Sequence, residues 1–367
     1  MTIGILGGGQ LGRMLALAGY PLGLRFRVLD HHADAPAGQV APLIVGEFSD
    51  PAVLRNLAEG CAAVTFEFEN VPVLSARMLQ EFTIVYPPPA ALEVAQDRLA
   101  EKQFFQRLGI PVGRFAQVSS TADLAHAARE TDLPAVLKTR RMGYDGKGQV
   151  RVQDAESLAA AHAALQPAPT ILEQFVRFDR ELSVLALRSR DGKIACYPLV
   201  ENVHVDGILH VSRAPAPNLT TDLQARAADY ARRALDALNY VGLLAIEFFQ
   251  VGDELLANEM APRVHNSGHW TIEGAETSQF ENHLRAVLGL PLGSCAPRGH
   301  SAMVNLIGAA PPLEHLTASG ACVHLYGKSP RAGRKLGHCT LFAATAEERE
   351  RRLAEFLAQI APTVRSG

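Results

Sequence analysis

The first part of the chain, up to about Pro89, alternates short apolar runs with amphipathic segments. Such apolar runs predict strands, and apolar residues at helical spacing predict helices. The predicted strands are Ile3–Leu6, Phe26–Leu29, Ala62–Phe66 and Ile84–Tyr86, and the predicted helices are Leu11–Ala18 and Pro51–Ala58. This alternation indicates a parallel α/β sheet. The run Pro87-Pro88-Pro89 ends the region, because consecutive prolines cannot continue a helix or a central strand.

The middle of the chain groups its strands beside helices. A helical pattern runs from Ala90 to about Leu108. The predicted strands that follow are Ala135–Lys138, Val150–Val152, Thr170–Leu172, Leu182–Leu187, Ile194–Leu199, Leu243–Phe249 and Glu254–Asn258. Predicted helices interrupt them at Ala122–Glu130, Ser157–Leu165 and Leu223–Leu238. This grouping suggests α+β construction.

A smaller region follows Pro297. It is rich in predicted strands, basic around Lys328–His338, and ends in a predicted helix at Ala346–Ile360. Three regions in 367 residues agree with ordinary domain sizes.

Composition narrows the class of protein. Hydrophobic residues make up 48% and charged residues 20%, which is typical of a globular chain with a sizeable core. A net charge of −3 argues against a polynucleotide or an anionic membrane as partner. The five cysteines are scattered without metal-ligand spacing, and no signal or membrane-spanning stretch is visible. We therefore expect a cytoplasmic protein.

A glycine-rich loop follows the first predicted strand. Gly7-Gly8-Gly9-Gln10-Leu11-Gly12 fits G-x-G-x-x-G between a strand and a helix, and Asp30 closes the next strand. This is the context of a dinucleotide site, in which a phosphate approaches the amides of a helix N-terminus. A tight turn for packing and a site for another phosphorylated molecule are the alternatives. Arg13 favours an anion nearby.

A second glycine-rich loop lies between two predicted strands. Lys138 ends the first strand, and Gly143-Tyr144-Asp145-Gly146-Lys147-Gly148-Gln149 leads to the next. A Walker loop is followed by a helix, so this is a different device. Glycines with exposed amides can cover a triphosphate, while the lysine supplies a point charge. A β-hairpin with a polar tip is the alternative.

A third segment, Thr170–Val176, is a buried-looking strand with a polar end. Glu173 there, or Glu181 shortly after, could bind ribose hydroxyls, and the backbone near Phe175 and Val176 could read an adenine edge. Taken singly these residues are weak signals, because a glutamate at a strand end is usually solvated.

The most specific pattern is a pair of glutamates in two apolar strands. A three-residue loop near Gly252 would pair Val251 with Leu255 and place Glu247 opposite Glu259. Two facing carboxylates repel unless a cation joins them. Magnesium takes oxygen ligands and bridges to phosphates, so we predict a magnesium site. Two glutamates on a wet face are the alternative, which the apolar strands disfavour.

A polar loop, Ala261–Trp270, follows the second of these strands. It contains Arg263, His265 and His269, an unusual density without a polar ligand to hold. A zinc site at the two histidines is disfavoured, because Pro262 and Gly268 interrupt the helix that such spacing needs.

Together these motifs, in this order, resemble the 5-(carboxyamino)imidazole ribonucleotide synthase family of ATP-grasp ligases. The resemblance also rests on the segments GGGQLGRM, TFEFENVP, NEMAPRVHNSGHW and HLYGKSPRAGRKLGH and extends to about Leu341. It implies a Rossmann-like α/β pre-ATP-grasp domain at residues 1–96. It further implies an α+β ATP-grasp fold at 97–296, divided into a lid part at 97–175 and a metal-carboxylate part at 176–296, and a small β-rich C-terminal domain at 297–367.

The resemblance implies a ligand for each motif. ATP would contact Arg98, Lys138, Gly143, Tyr144, Asp145, Gly146, Lys147, Gly148, Gln149, Glu173, Gln174, Phe175, Val176, Glu181, His204 and Asn258. Magnesium would lie on Glu247 and Glu259. The nucleotide substrate would contact Gly9, Gln10, Leu11, Glu67, Tyr144, Asp145, Lys147, Arg334 and Lys335. Catalysis would involve Arg263, His265, Asp145 and Lys335.

The implied reaction is the ATP-dependent carboxylation of aminoimidazole ribonucleotide by bicarbonate through carboxyphosphate, in a homodimer and without biotin. Positioning and charge neutralisation would supply the catalysis, and the second glycine loop would be a lid that excludes water. The proton acceptor stays open between His265, Asp145 and the released phosphate. Formate-dependent glycinamide ribonucleotide transformylase is the nearest alternative activity. A nicotinamide-dependent dehydrogenase would leave the two glutamates and the second loop without a role, and a non-catalytic nucleotide sensor would leave the set of charged residues unused.

Overall fold

The computed structural model describes residues 1–143 and 146–364, and side chains up to residue 360. Tyr144 and Asp145, both predicted site residues, lie outside the described residues. The described residues form three sheets, which meet around a cleft.

The N-terminal layer is the predicted parallel α/β sheet. Its strands are β1 (Thr2–Leu6), β2 (Arg25–Asp30), β3 (Leu43–Val45) and β4 (Cys61–Phe66), in the order β3-β2-β1-β4. Its helices are α1 (Gln10–Gly19), α2 (Pro51–Ala58), α3 (Val73–Leu79) and α4 (Pro89–Ala95). The strand predicted at Ile84–Tyr86 is wrong: it is reduced to a single bridge between Val64 and Val85. Strand β3 and helix α3 were not predicted from the sequence.

The helix predicted from Ala90 to about Leu108 is two helices, α4 and α5 (Arg98–Arg107). The break comes from Asp97, whose side chain accepts from the backbone N–H groups of Leu99 and Ala100 and thus begins a new helix. Arg140 also binds the Asp97 carboxylate with two nitrogens, at 3.0 and 2.7 Å. The N-terminus of α5 is therefore fixed beside the second glycine loop.

A four-stranded antiparallel sheet carries that loop. Its strands are β5 (Phe115–Val118), β6 (Ala135–Thr139), β7 (Gln149–Val152) and β8 (Thr170–Gln174), in the order β5-β8-β6-β7. Helices α6 (Leu124–Thr131) and α7 (Ala155–Leu165) pack on it. The loop joins β6 directly to β7, so the predicted strand–loop–strand arrangement is confirmed.

The central sheet has nine strands. Its first strands are β9 (Arg180–Arg188), β10 (Ile194–Cys196), β11 (Val200–Val205), β12 (Ile208–Ala214), β13 (Gly242–Val251) and β14 (Glu254–Ala261), with helix α8 (Thr221–Ala237) between β12 and β13. Next come α9 (Thr271–Gly274), α10 (Gln279–Leu288), β15 (His300–Ile307), α11 (Leu313–Ala318), β16 (Cys322–Leu325), β17 (Lys335–Ala343) and α12 (Ala346–Val364). The order is β14-β13-β9-β11-β12-β15-β17-β16, with β10 beside β9.

Two helices cover this sheet and tie it to the N-terminal layer. Ala227, Ala231 and Ala234 of α8 are fully buried at helical spacing and pack in the same apolar core as β9 and β13. Phe280 and Leu284 of α10 are buried in the core that also contains residues of β1 and α1. The tail extends the central sheet through β15, which pairs with both β12 and β17. Among the described helices, none is both long and apolar enough to cross a membrane.

Candidate active site

A cleft of about 650 Å³ lies where the three sheets meet. Its walls include the first glycine loop, the loop after β4, the N-terminus of α5, the second glycine loop, the ends of β8 and β9, the β13–β14 hairpin and the start of β17. Most of the predicted site residues therefore line a single cavity.

Glu247 and Glu259 face each other across the β13–β14 hairpin, as predicted. The predicted turn is wrong: Val251 pairs with Glu254, so the loop has two residues instead of three. A β-bulge at Asn258 adds the missing residue and restores the pairing of the two glutamates. Because of the bulge, Asn258 and Glu259 lie between the core residues Ala257 and Met260, and both line the cleft.

Burial and the neighbouring Glu259 raise the pKa of Glu247 to about 7. The Glu247 side chain is 13% exposed, and the described structure places His265 Nε2 3.5 Å from its Oε1. A largely buried carboxylate opposite another carboxylate binds a proton readily, and a divalent cation would compete for the same oxygens.

Glu181 and His204 extend this acidic patch. One oxygen of Glu181, one ring nitrogen of His204 and one oxygen of Glu247 lie within 4.8 Å of one another. His204 Nδ1 is 2.5 Å from Glu181 Oε2. Burial lowers the pKa of His204, but the bond to Glu181 and the charges of Glu247 and Glu259 outweigh burial and raise it. The imidazole therefore acts as a counter-charge in an acidic environment.

Two lysine side chains, those of Lys138 and Lys102, lie in the same cleft beside Glu173. Lys138 Nζ lies 3.0 Å and Lys102 Nζ 3.4 Å from Glu173 Oε2. Burial alone would raise the pKa of Glu173, but the two ammonium groups lower it to about 2. Glu173 is thus an ionised support for two buried lysines.

Arg98 connects the basic and acidic sides of the cleft. It lies at the first position of α5, with Nη1 3.3 Å from Glu259 Oε2 and Nη2 donating to the carbonyl of Gly143 at 3.4 Å. Arg98 therefore touches both the hairpin and the second glycine loop.

The second glycine loop is closed at its base by a backbone hydrogen bond and contains residues with positive φ angles. Thr139 N–H donates to Gly148 O at 2.8 Å, and Gly146 and Gly148 have φ of 77° and 71°. Such angles favour glycine. Gly143, Gly146 and Gln149 line the cleft.

The end of β8 forms an apolar wall. Gln174, Phe175 and Val176 line the cleft there, and the N–H of Phe175 donates to Pro134 O at 3.3 Å. Phe178 and Phe249 stack in parallel, with ring centroids 4.6 Å apart, and line the same wall. This wall suits a flat aromatic ring.

The polar loop after β14 lies beside the carboxylate pair. Arg263 binds Glu69, and this charge lowers the pKa of Glu69 although burial opposes it. Burial and the charges of Arg263 and Lys335 lower the pKa of His265 well below its ordinary value. Arg263, His265 and Lys335 all line the cleft, so two cationic side chains and a neutral imidazole converge there.

The first glycine loop binds carboxylates of the protein itself. Gly9 N–H donates to Glu67 Oε1 at 2.5 Å, Gly12 N–H to Glu67 Oε2 at 2.8 Å, and Gly8 N–H to Asp30 Oδ2 at 2.7 Å. The expectation that these amides are open to a phosphate is therefore wrong for this structure. The anion at the N-terminus of α1 is Glu67, and Gln10, Leu11 and Glu67 line the cleft beside it.

The tail contributes one predicted residue to the cleft. Lys335 lines it, whereas Arg334 donates to the backbone oxygen and the hydroxyl of Ser329 at 3.2 and 3.1 Å. Lys147, in the second glycine loop, is exposed. Lys328, which was not singled out, binds Gln10 of the first glycine loop.

No role was predicted from the sequence for the cleft residues Glu69, Glu101, Lys102, Phe178 and Phe249, or for Lys328, which contacts Gln10. Lys102 Nζ donates to the carbonyls of Asn258 and Ala257 at 2.7 and 3.3 Å, and Glu101 Oε1 accepts from Met260 N–H at 2.6 Å. Arg98, Glu101 and Lys102 have the i, i+3, i+4 spacing of one helix face, and that signal could have found them.

Comparison with known proteins agrees with this geometry. Sequence models match a ribonucleotide synthetase preATP-grasp domain at residues 1–96, an ATP-grasp domain at 103–280 and a phosphoribosylaminoimidazole carboxylase C-terminal domain at 301–352. The fold is therefore an α/β pre-ATP-grasp domain, an α+β ATP-grasp domain and a small C-terminal domain, as predicted.

Individual relatives cover almost the whole chain. The N5-carboxyaminoimidazole ribonucleotide synthase of Pseudomonas aeruginosa is 53% identical over 361 residues, which are 98% of this chain and 99% of the relative. The crystal structure of the synthetase from Thermus thermophilus has a TM-score of 0.93 and 60% identity, with 98% of each chain covered. The structure of the Aspergillus clavatus synthase in complex with ADP and 5-aminoimidazole ribonucleotide has a TM-score of 0.90 and 33% identity over 98% of each chain. The chain belongs to the N5-carboxyaminoimidazole ribonucleotide synthase family.

Proposed function

We propose that this protein is an ATP-dependent ligase of purine biosynthesis. It carboxylates 5-aminoimidazole ribonucleotide with bicarbonate and releases ADP, phosphate and 5-(carboxyamino)imidazole ribonucleotide. The observation that carries the proposal is the pair Glu247 and Glu259, opposite each other in a cleft that also contains Lys138 and Arg98. Such a site combines acidic ligands for a cation with basic groups for phosphate.

ATP lies between the second glycine loop and the hairpin in this proposal. The adenine rests on the wall of Phe178 and Phe249 and takes hydrogen bonds near Phe175 and Val176. Glu181 and His204 lie toward the ribose. Lys138 and Arg98 bind phosphate oxygens, because both are cationic groups in the cleft. Asn258 Oδ1 is buried and has no hydrogen-bond partner among the described residues, which supports a ligand contact there.

The carboxylate pair fits Mg²⁺. Glu247 and Glu259 offer oxygen ligands, the donor type that Mg²⁺ prefers, and their mutual repulsion would be relieved by a cation. When bound, the ion supplies positive charge to the phosphate oxygens of ATP. Glu181 and His204 are near enough to support this site, but an imidazole is a poor ligand for Mg²⁺, so His204 is assigned to the nucleotide.

The first step activates bicarbonate. A bicarbonate oxygen attacks the γ-phosphorus of ATP in line, the bond to the bridging oxygen of ADP breaks, and carboxyphosphate forms. Arg263 and His265 hold the bicarbonate and its carboxyphosphate product, because they place a positive charge and a neutral imidazole in one corner of the cleft.

The second step transfers carbon dioxide. The carbon–oxygen bond of carboxyphosphate breaks to give carbon dioxide and phosphate, and the substrate amine attacks the carbon dioxide and loses a proton. The nucleotide substrate lies against Gly9–Leu11 and Glu67, with Lys335, Arg334 and Lys147 directed to its polar groups. The lid over the cleft is the second glycine loop, which excludes water from carboxyphosphate.

The proposal extends to organisation. We infer three domains at residues 1–96, 97–296 and 297–367 and a homodimer, as the resemblance implies, and a cytoplasmic location, as the composition suggests.

The test is a pair of ATP-cleavage assays. ADP should form with aminoimidazole ribonucleotide, bicarbonate and Mg²⁺, and stay at background with glycinamide ribonucleotide and formate. Labelled bicarbonate should appear in the ribonucleotide product. ADP formation with formate and glycinamide ribonucleotide instead would contradict the assignment.

A further inference from the structure

A chain of buried polar side chains runs behind His265. It begins at Ser212 on β12, passes Asn202 on β11 and Ser183 on β9, and ends at Ser267, two residues after His265. Ser212, Ser183 and Ser267 are fully buried and Asn202 is 4% exposed. Buried polar groups in a row of strands are costly unless they bond to one another.

Each link of the chain is a hydrogen bond. Ser212 Oγ donates to Asn202 Oδ1 at 2.8 Å, and Asn202 Nδ2 donates to Ser183 Oγ at 3.0 Å. Ser183 Oγ donates to Ser267 Oγ at 2.8 Å, and Ser267 Oγ lies 2.9 Å from His265 Nδ1. The chain therefore crosses three strands of the central sheet and ends on the imidazole ring.

The direction of the chain follows from groups that can only donate. The backbone N–H of Ser267 donates to His265 Nδ1 at 3.4 Å, so this nitrogen is an acceptor. The Ser267 oxygen already accepts from Ser183, so its hydroxyl hydrogen is available to Nδ1. The amide of Asn202 has a donor end toward Ser183 and an acceptor end toward Ser212, which orients both hydroxyls.

The backbone of His265 is held separately. Its N–H donates to Gln279 Oε1 at 2.9 Å, and its carbonyl accepts from Gln279 Nε2 at 2.6 Å. Gln279 is fully buried. Gln279 therefore fixes the backbone of His265, and the chain of polar side chains contacts only its imidazole ring.

We propose that Asn202, Ser183 and Ser267 are positioning residues that hold His265 in the tautomer with hydrogen on Nε2. His265 then presents a hydrogen-bond donor to the cleft, on the side where Glu247 Oε1 lies 3.5 Å away. This inference rests on the proposed function for its substrate: the Nε2–H donates to an oxygen of bicarbonate or carboxyphosphate. It also removes His265 as the acceptor of the amine proton, because the nitrogen that faces the cleft already carries hydrogen.

The tautomer can be measured directly. Histidine ring nitrogens, labelled with ¹⁵N in the full chain, give distinct NMR shifts for a protonated and a bare nitrogen, and His265→Gln identifies the signal of His265. We expect a protonated Nε2 and a bare Nδ1 in protein without nucleotide. A protonated Nδ1 with a bare Nε2 would overturn the proposal.

Asn202→Asp tests the direction of the chain. An ionised aspartate has only acceptors, so the Ser183 hydroxyl would donate to the new carboxylate and the Ser267 hydroxyl to Ser183, which leaves the Ser267 N–H as the remaining donor to His265 Nδ1. We expect a mixture of tautomers, with part of His265 protonated on Nδ1, and a fall of about 10-fold or more in kcat/KM for bicarbonate, with KM for ATP changed less than about two-fold. Ser212→Ala is the matched control, because it shortens the chain without reversing it and should keep the Nε2–H signature.

Ser267→Ala covers the case in which Asn202→Asp does not fold. It removes the hydroxyl that bonds to Nδ1, so we expect a mixture of tautomers and a similar loss in kcat/KM for bicarbonate. An unchanged tautomer and unchanged bicarbonate kinetics in Ser267→Ala would overturn the proposal. The failure of the proposed function and the failure of this inference can be told apart. An Nε2–H signature without bicarbonate-dependent ATP cleavage would contradict the proposed function alone. Bicarbonate-dependent cleavage with an Nδ1–H signature would contradict the positioning role of the polar side chains alone.

Discussion

Glu67 and Glu247 are both largely buried glutamates in the wall of one cleft, yet their surroundings differ. Glu67 accepts two backbone N–H groups from the first glycine loop, and Glu247 faces another carboxylate across a hairpin. Burial raises the pKa of both, but the amides of Gly9 and Gly12 oppose the shift at Glu67, whereas Glu259 adds to it at Glu247. The Glu67 carboxylate has hydrogen-bond donors within the protein, whereas the Glu247 carboxylate faces another carboxylate, and we expect a bound cation to stabilise that pair.

The largest expected effect is on the hairpin. Glu259→Gln should keep the fold but lower ATP cleavage by about 1000-fold, because several kcal/mol of charge stabilisation at the phosphates depend on the metal. The measurement is ADP release against Mg²⁺ concentration. Glu254→Gln, an exposed position on the same strand, is the control and should cleave ATP normally. Turnover near normal in Glu259→Gln would remove the metal assignment.

The next largest effect is expected in the pH dependence of the free energy of unfolding. The pKa of Glu247 is raised in the folded protein from 4.5 to about 7, so its contribution to stability is fully present below pH 4.5 and is lost as pH rises through 7. The loss corresponds to roughly 3 kcal/mol at most. Chemical denaturation of metal-free protein at several pH values should show this fall in the unaltered chain and not in Glu247→Gln. Mg²⁺ should restore stability at high pH in the unaltered chain only.

Substitution of Glu67 should lower stability in a way that Mg²⁺ does not restore. Glu67→Gln leaves one of the two N–H groups of Gly9 and Gly12 facing an amide NH₂, so we expect a loss of about 2 kcal/mol in the free energy of unfolding at neutral pH. Added Mg²⁺ should not compensate for it. A substitution that left stability unchanged and altered only Mg²⁺ binding would break the contrast between the two glutamates.

How far the sequence predicts this site depends on how local the signal is. The pairing of Glu247 with Glu259 was predicted correctly although its turn was wrong by one residue, because the bulge at Asn258 restored the register. The bulge itself depends on α5: Lys102 donates to the carbonyls of Ala257 and Asn258 from another part of the chain. Such tertiary hydrogen bonds cannot be predicted from the pattern of apolar and polar residues in the strand that they bend.

In the first glycine loop, the local structure was predicted and the tertiary contact was not. Its strand–loop–helix context was predicted correctly, but the partner of its amides was not, because Glu67 lies on the loop after β4. The sequence shows which amides need an anion and cannot show that a carboxylate of the same chain supplies it. For the same reason the helix from Ala90 was predicted as continuous: the break at Asp97 depends partly on its bond to Arg140, which is distant in sequence.

The smallest effect is expected at Lys335, whose positive charge opposes the raised pKa of Glu247 and adds to burial in lowering the pKa of His265. Lys335→Ala should mainly raise KM for aminoimidazole ribonucleotide, by about 10-fold, since one charged contact to a phosphate contributes roughly 1.5 kcal/mol. Arg331→Ala removes one charge from an exposed position shortly before Lys335 and should leave KM unchanged. An unchanged KM in Lys335→Ala, with a fall in kcat, would move Lys335 from the nucleotide to bicarbonate. Lys335 would then belong with Arg263 and His265 at the hairpin, and the phosphate of the nucleotide would need another cation from the tail, such as Lys328 beside Gln10 and Glu67.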